Sequence, residues 1–395
     1  MRQRIGNALV FIAIGHLVIE FSNNYMPIMY PQLIPAMGLS YAQVGVIVLV
    51  SSTVLSLTQP FFGYLSDRWD SVWLVSASII WIGVMMGMVG FAQSYWVLLI
   101  LVACGSLGSG AFHPAATIIA AANSGNRRGS GLSVFSVGGN VGSALSPLWM
   151  GLALTALGPS ATMTILPIAV LYGVVFLVRM RRDVAPMPAR NLDTSEPATK
   201  GLMIGLLLLI VAMSFRSWYQ VAFMTYLPTW IESSGGTLNQ GGRTLATFLF
   251  SISVGSVIGG TSGDRYGHLK VLIIALAILP LLHWTYLNGA GAVQLIAIVL
   301  SGVAVGCTFP TSIVLVLDAW PNQAGVAAGL LMGLSWWPGG LGTSLTGWVA
   351  DRYSLTTGLS LLAFVPLCGA ACLVIYSLYL RSKQNATGQQ ATASR

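Results

Sequence analysis

Twelve apolar stretches follow one another along the chain, each long enough to cross a bilayer as a helix and each bounded by charge or turn residues. They lie near 6–30, 41–64, 72–92, 95–122, 130–157 and 161–180, then near 201–231, 243–262, 270–288, 292–317, 325–350 and 357–380. A spanning helix takes about 20 to 25 residues, so twelve consume about 240 to 300 and leave no room for a sizeable soluble domain. Only 7% of the residues are charged, far fewer than a soluble domain needs to clothe its surface. The runs are continuous rather than alternating, which excludes transmembrane β-strands. These features predict an all-α integral membrane protein with twelve transmembrane helices, and not an enzyme.

The net charge of +8 arises from 18 Lys and Arg against 10 Asp and Glu. If the N-terminus is cytoplasmic, fifteen of the 18 cations fall in inner loops and tails; Arg243 and Arg352 lie outside and Arg216 lies within a span. This positive-inside bias predicts a multi-pass plasma-membrane protein with both termini in the cytoplasm. The basic balance therefore reports topology, and nucleic acid is not expected as a partner. Arg2 and Arg4 precede an apolar run, but no A-x-A-like site follows and Gly15-His16 interrupts it, so it reads as the first membrane helix rather than a signal peptide. Cys104, Cys307, Cys368 and Cys372 sit inside apolar runs without paired spacing. They read as packing residues, and neither a metal site nor a cofactor is expected.

The longest polar interruption is DVAPMPARNLDTSEPATK, residues 183–200, whose prolines and mixed charges suit a solvated linker. It divides an N-terminal six-helix bundle (1–182) from a C-terminal one (201–381), and a polar, disordered cytoplasmic tail (382–395) follows. The halves repeat. Gly63-x-x-x-Asp67-Arg68 recurs as Gly260-x-x-x-Asp264-Arg265, Gly110-x-x-His113-Pro114 as Gly306-x-x-Phe309-Pro310, and Gly131-Leu132 as Gly329-Leu330, at offsets of 197, 196 and 198. Unrelated loops would not keep so nearly constant an offset, which points to two pseudo-symmetric repeats related by an axis normal to the membrane.

Gly-x-x-x-Asp-Arg after the second helix of each half resembles the signature of the major facilitator superfamily, and the resemblance covers essentially the whole chain. Three features are similar to its fosmidomycin-resistance branch: Gly15-His16-Leu17 with an acid four residues after His16, Gly110-Ala-Phe-His113-Pro114, and Arg216-Ser217-Trp218 followed by Leu227-Pro228. The branch tends to carry Asp where this chain has Glu20. The resemblance implies a secondary active transporter that moves a small organic solute or drug by alternating access, most simply as a proton-coupled exporter.

An ionisable side chain in mid-span is expensive and marks function by default. His16, Glu20, His113, Arg216 and His283 are the candidates. His16, Glu20, Asn23, Asn24 and Pro27 fall on one face of the first helix. Arg216, Tyr219, Gln220 and Phe223 form a similar face on the seventh. Glu20 lies 16 residues past Arg4 and Arg216 lies 16 past Lys200, about 24 Å of helix rise in each case. The resemblance implies that these two helices line the central cavity, so an encounter of Glu20 with Arg216 is feasible; a purely structural ion pair is the alternative.

Glu20, His16 and His113 are the candidate proton-coupling groups, His113 standing before Pro114 where the helix loosens. Neutral histidines bonded to neighbouring backbone or hydroxyl groups are the alternative. His283 has no polar companions at helical spacing and reads as a core histidine. Arg216, Asn23, Asn24, Asn140, Tyr219, Gln220, Phe309 and Trp336 are the candidate substrate contacts. Arg216 suits an oxyanion, and Trp336 could supply an aromatic wall. The glycines around Asn140 are explained by close helix packing. Gly63, Asp67 and Arg68, with Gly260, Asp264 and Arg265, are the candidate cytoplasmic gate, although Asp70 and Ser71 replace the glycine and base that complete the second copy. No Walker-type stretch supports ATP-driven transport.

The partners expected are a small-molecule substrate, protons and the lipid bilayer, with the chain acting as a monomer. The competing readings are an importer or facilitator of a small organic anion attracted to Arg216, and a non-transporting membrane sensor or scaffold.

Overall fold

In the computed structural model the described residues are 2–66, 68, 70–124, 128–180, 200–319 and 324–393. They are almost entirely helical, joined by short turns, with no strand among them. The first span is split into α1 (Arg2–Asn23) and α2 (Met26–Met37), where one continuous helix over 6–30 is expected. Pro27 stands in the first turn of α2, where its missing N–H would have had no intrahelical partner. Gly38, at φ 63°, ends α2 in the left-handed conformation that favours glycine.

Next come α3 (Tyr41–Ser66), α4 (Ser71–Gly87), α5 (Tyr95–Ala122), α6 (Arg128–Leu157) and α7 (Ile165–Met180). Asp70 caps α4 by accepting the Val72 N–H at 2.9 Å. The second series is α8 (Lys200–Ser233), α9 (Leu238–Tyr266), α10 (His268–Asn288), α11 (Gly291–Ala319), α12 (Ala324–Arg352), α13 (Leu355–Leu362) and α14 (Val365–Ala393). Among the described residues, 10 stretches are long and apolar enough to cross a membrane, and one of them, Leu132–Met180, holds both α6 and α7. The 29 residues of α12 occupy the remaining expected span.

The linker expected over 183–200 lies outside the described residues except for Lys200, which begins α8. Where a disordered tail is expected, α14 continues as helix to Ala393; residues 382–393 hold no proline and are rich in Ala and Gln, which favour helix.

Contacts divide the chain into two units rather than simply into its two halves. The first comprises Met1–Asn191, Phe223–Phe250 and Thr343–Gly358. Within it, α6 lies against α1 at backbone distance. A Cβ at Gly138 would stand 2.0 Å from the Ala13 carbonyl oxygen, one at Gly142 2.2 Å from that of Leu17, and one at Gly139 2.4 Å from the His16 ring. Only glycine permits this approach.

The segments from α8, α9 and α12 join this unit through specific contacts. The Tyr226 hydroxyl donates to the Tyr41 carbonyl at 2.8 Å and to that of Thr343 at 3.1 Å. Both oxygens of Asp351 accept the first N–H groups of α3, from Tyr41 and Ala42, each at 2.8 Å, which satisfies donors that a helix start leaves open. A Cβ at Gly45 would meet the Ser344 Cα at 2.4 Å.

The second unit comprises Leu192–Ala222, Ser251–Gly342 and Leu359–Arg395. Here α9 meets α11 through another set of glycines: a Cβ at Gly255 would lie 2.2 Å from the Val303 carbonyl oxygen and one at Gly306 2.1 Å from that of Ile252. The four cysteines are free thiols, Cys307 buried and Cys368 exposed.

Candidate functional site

The glycines of α6 set α1 close against it, and His16 and Glu20, one helical turn apart on α1, meet His113 of α5. Glu20 Oε1 lies 3.3 Å from His113 Nε2 and 3.7 Å from His16 Nε2. Its other oxygen, Oε2, accepts the Asn24 amide at 2.7 Å and the Ser143 hydroxyl at 3.4 Å. The carboxylate is therefore held from one side and offered to two imidazoles on the other.

The His16 ring is fixed independently. Its Nδ1 is 2.9 Å from the Phe135 carbonyl oxygen, and since a carbonyl only accepts, Nδ1 is the protonated nitrogen of the neutral ring and Nε2 carries the lone pair. The ring stacks on Phe135 with centroids 4.1 Å apart, and Phe112 packs 5.8 Å away. His113 Nε2 also approaches the Ser109 hydroxyl at 3.3 Å. The three proton-coupling candidates thus form one cluster, with Asn24 bound to it. Asn23 and Asn140 are half-buried and make no hydrogen bond to the cluster among the described residues.

In the second unit, Arg216 is buried at 4% exposure. Its Nε donates to the Thr308 hydroxyl at 2.9 Å, and its guanidinium carbon lies 5.6 Å from the Trp336 ring centroid. Among the described residues no carboxylate of this unit pairs with it. A small recess opens beside it, lined by Arg216, Ser217, Phe309, Ser312, Ser335 and Trp336 among others. The buried Ser217 hydroxyl has no hydrogen-bond partner among the described residues.

Three of the expected substrate contacts, Arg216, Phe309 and Trp336, are therefore brought together. Tyr219 and Gln220 do not line this recess. Tyr219 is fully buried, with its hydroxyl 3.1 Å from His283 Nδ1, while His283 Nε2 meets the Leu359 carbonyl at 2.9 Å. The carbonyl fixes the proton on Nε2, so Nδ1 accepts from Tyr219 and the neutral ring is fully satisfied, as a core histidine should be. Thr308 carries no signal in the sequence: a lone hydroxyl in an apolar span usually bonds its own helix backbone, which it also does here, to Val305 at 2.5 Å.

Of the gate residues, Asp67 lies outside the described residues. A Cβ at Gly63 would make ordinary contact with Pro114 at 3.8 Å, and one at Gly260 would meet nothing within 4 Å. Arg68 stacks over Tyr64 at 4.1 Å and Arg265 over Tyr266 at 5.2 Å. Asp264 is 78% exposed and lies 3.3 Å from His268 Nε2. Gly267, at φ 96°, makes the sharp turn from α9 into α10.

The comparisons with known proteins agree with this architecture. The Fosmidomycin resistance protein of Escherichia coli is 28% identical over 375 residues, covering 91% of this chain and 90% of its own. Multidrug resistance protein MdtG of Escherichia coli is 26% identical over 289 residues, 71% of this chain and 70% of its own. A bacterial homolog of the human lysosomal transporter Spinster, in an inward-facing and occupied conformation, superposes with a TM-score of 0.83 at 12% identity, covering 95% of this chain and 97% of that one; this likeness shows the shared fold. The description of the Major Facilitator Superfamily matches residues 12–343, and the chain, a multi-pass membrane transporter of small molecules rather than an enzyme, belongs to that superfamily.

Proposed function

We propose that the chain exports a small organic solute from the cell in exchange for protons. It works by alternating access as a monomer in the plasma membrane, with both termini in the cytoplasm. The observation that carries this reading is Glu20: a carboxylate in an apolar span, with one oxygen held by Asn24 and the other facing His16 and His113. Such a group exchanges a proton with its imidazoles at little geometric cost, and its charge is costly to leave unpaired in the membrane. Relatives named for resistance to fosmidomycin and to multiple drugs support export.

Arg216 binds the anionic part of the solute. Its guanidinium, with Nε engaged by Thr308, keeps its terminal nitrogens for a forked pair of bonds to a phosphonate or carboxylate. Phe309 and Trp336 cover the solute's apolar portion. Asn23, Asn140, Tyr219 and Gln220 act in the substrate path only as it opens. Asp67-Arg68 and Asp264-Arg265 with their glycines latch the cytoplasmic side and release when it opens. Arg216, with no carboxylate partner among the described residues of its unit, equally favours a second reading, uptake or facilitated movement of a small organic anion. Everted vesicles with an imposed pH gradient separate the two. Export predicts accumulation of solute inside everted vesicles only when their lumen is acidic. Accumulation that ignores the gradient, or depends on its reverse, would reject the exchange.

A further inference from the structure

We propose that His16, Glu20 and His113 form a binding site for a borderline divalent transition-metal ion such as Zn2+ or Co2+. The sequence alone gives no hint of this, since the two histidines are 97 positions apart (113 − 16) and neither belongs to a zinc-type spacing. The fold brings one ligand atom from each of the three residues within 4.8 Å of one another.

Three observations point to a cation rather than to hydrogen bonds alone. First, the two carboxylate–imidazole separations lie near ligand spacing. Zinc binds imidazole nitrogen at about 2.0–2.1 Å and carboxylate oxygen at about 2.0–2.2 Å, so two ligands at tetrahedral angles stand about 3.3–3.5 Å apart. Glu20 Oε1 lies 3.3 Å from one Nε2 and 3.7 Å from the other, whereas a tight hydrogen bond between an imidazolium and a carboxylate would draw them to about 2.7–2.9 Å.

Second, the ligand atoms converge: His113 Nε2 meets Glu20 Oε1 and the Ser109 hydroxyl, each at 3.3 Å, and His16 Nε2 faces the same carboxylate oxygen. With its Nδ1 proton given to the Phe135 carbonyl at 2.9 Å, a neutral His16 turns an unprotonated Nε2 toward a carboxylate oxygen. Two acceptors facing each other call for something positive between them. An imidazole whose far nitrogen donates to a backbone carbonyl is also the usual outer support of a metal-bound histidine.

Third, the carboxylate has its own outer support. Asn24 and Ser143 hold Oε2 at 2.7 and 3.4 Å and leave Oε1 as the ligand. The apolar rings of Phe112 and Phe135 wall the site. Two nitrogens and one oxygen select zinc, cobalt or nickel over magnesium and calcium, which require oxygen donors. Three protein ligands leave a fourth position for water or solute. The inference stands on this geometry; a bound ion would compete with the coupling proton for Glu20 Oε1, so metal binding and proton-driven transport are alternative states of the same site.

The test is a titration of tag-free protein in detergent with Co2+, whose visible bands are intense in tetrahedral sites and weak in octahedral ones, followed by displacement with Zn2+. One equivalent should give the tetrahedral spectrum, and Zn2+ should abolish it. Glu20→Gln and His113→Gln should lose the spectrum, while Asn24→Ala, which removes only an outer support, should weaken binding about 10- to 100-fold. Absence of the spectrum in the wild type, or its survival in both ligand variants, would overturn the proposal. X-ray absorption at the zinc edge on the wild-type protein needs no variant. Two imidazoles in the first coordination sphere support the site; one or none overturns it.

Discussion

Replacing Arg216 by lysine keeps a positive charge at the same place and removes the planar fork, which makes it a sharp probe of the recess. Arg216 uses Nε on Thr308 and faces Trp336, so its two terminal nitrogens remain to meet two oxygens of an anion. A lysine ammonium at this depth offers a single point of attachment and cannot satisfy Thr308 and a bidentate ligand together. Losing one hydrogen bond to a charged group weakens binding by about 1.5–3 kcal/mol, which corresponds to about 10- to 150-fold in Kd. A neutral solute that meets only Phe309 and Trp336 should lose much less. Isothermal titration in detergent with a phosphonate, a carboxylate and a neutral solute of similar size measures the difference. Equal losses for all three would show that Arg216 holds the helices together through Thr308 and does not read substrate charge.

Two further substitutions address packing and gating. Gly142→Val would force a side chain into the Leu17 carbonyl, only 2.2 Å from where the Cβ would begin. It should cost about 1–3 kcal/mol as overpacking, read as a lowered melting temperature in detergent, and it should impair transport by displacing Glu20 from His113. A melting temperature equal to wild type would show that α1 and α6 can part freely. Asp264→Asn should raise thiol labelling of cysteines introduced at the cytoplasmic mouth, because a latch that has lost its charge holds that side closed less often; unchanged labelling would remove Asp264 from the gate.

Much of the architecture was legible because hydrocarbon imposes a blunt rule: continuous apolar runs of helical length must be spans. The breaks were harder to read. Pro27 and Pro366 are compatible with either a packed kink or a helix start, and the structure uses both as restarts, α2 after Asn24-Tyr25 and α14 after Ala363-Phe364. Within the site, His16, Glu20 and Asn24 were legible as one face by their spacing of four. Their meeting with His113 was not, since it depends on how closely α6, α1 and α5 pack, and that closeness is set by what the glycines leave out. Tyr219 shares a helix with Arg216, yet its hydroxyl goes to His283, which sequence spacing cannot show. Asp351 is not legible in the sequence because its partners are backbone N–H groups of Tyr41 and Ala42, which no motif records.

The central claim is that Glu20 carries the proton that drives transport. Purified protein in proteoliposomes, wild type and Glu20→Gln, should be compared in two modes with the same labelled solute: movement against its gradient under an imposed pH difference, and exchange with unlabelled solute when pH is equal on both sides. The amide cannot take up or release a proton, so the account predicts that Glu20→Gln loses gradient-driven movement and retains exchange. Undiminished gradient-driven movement in Glu20→Gln would contradict it.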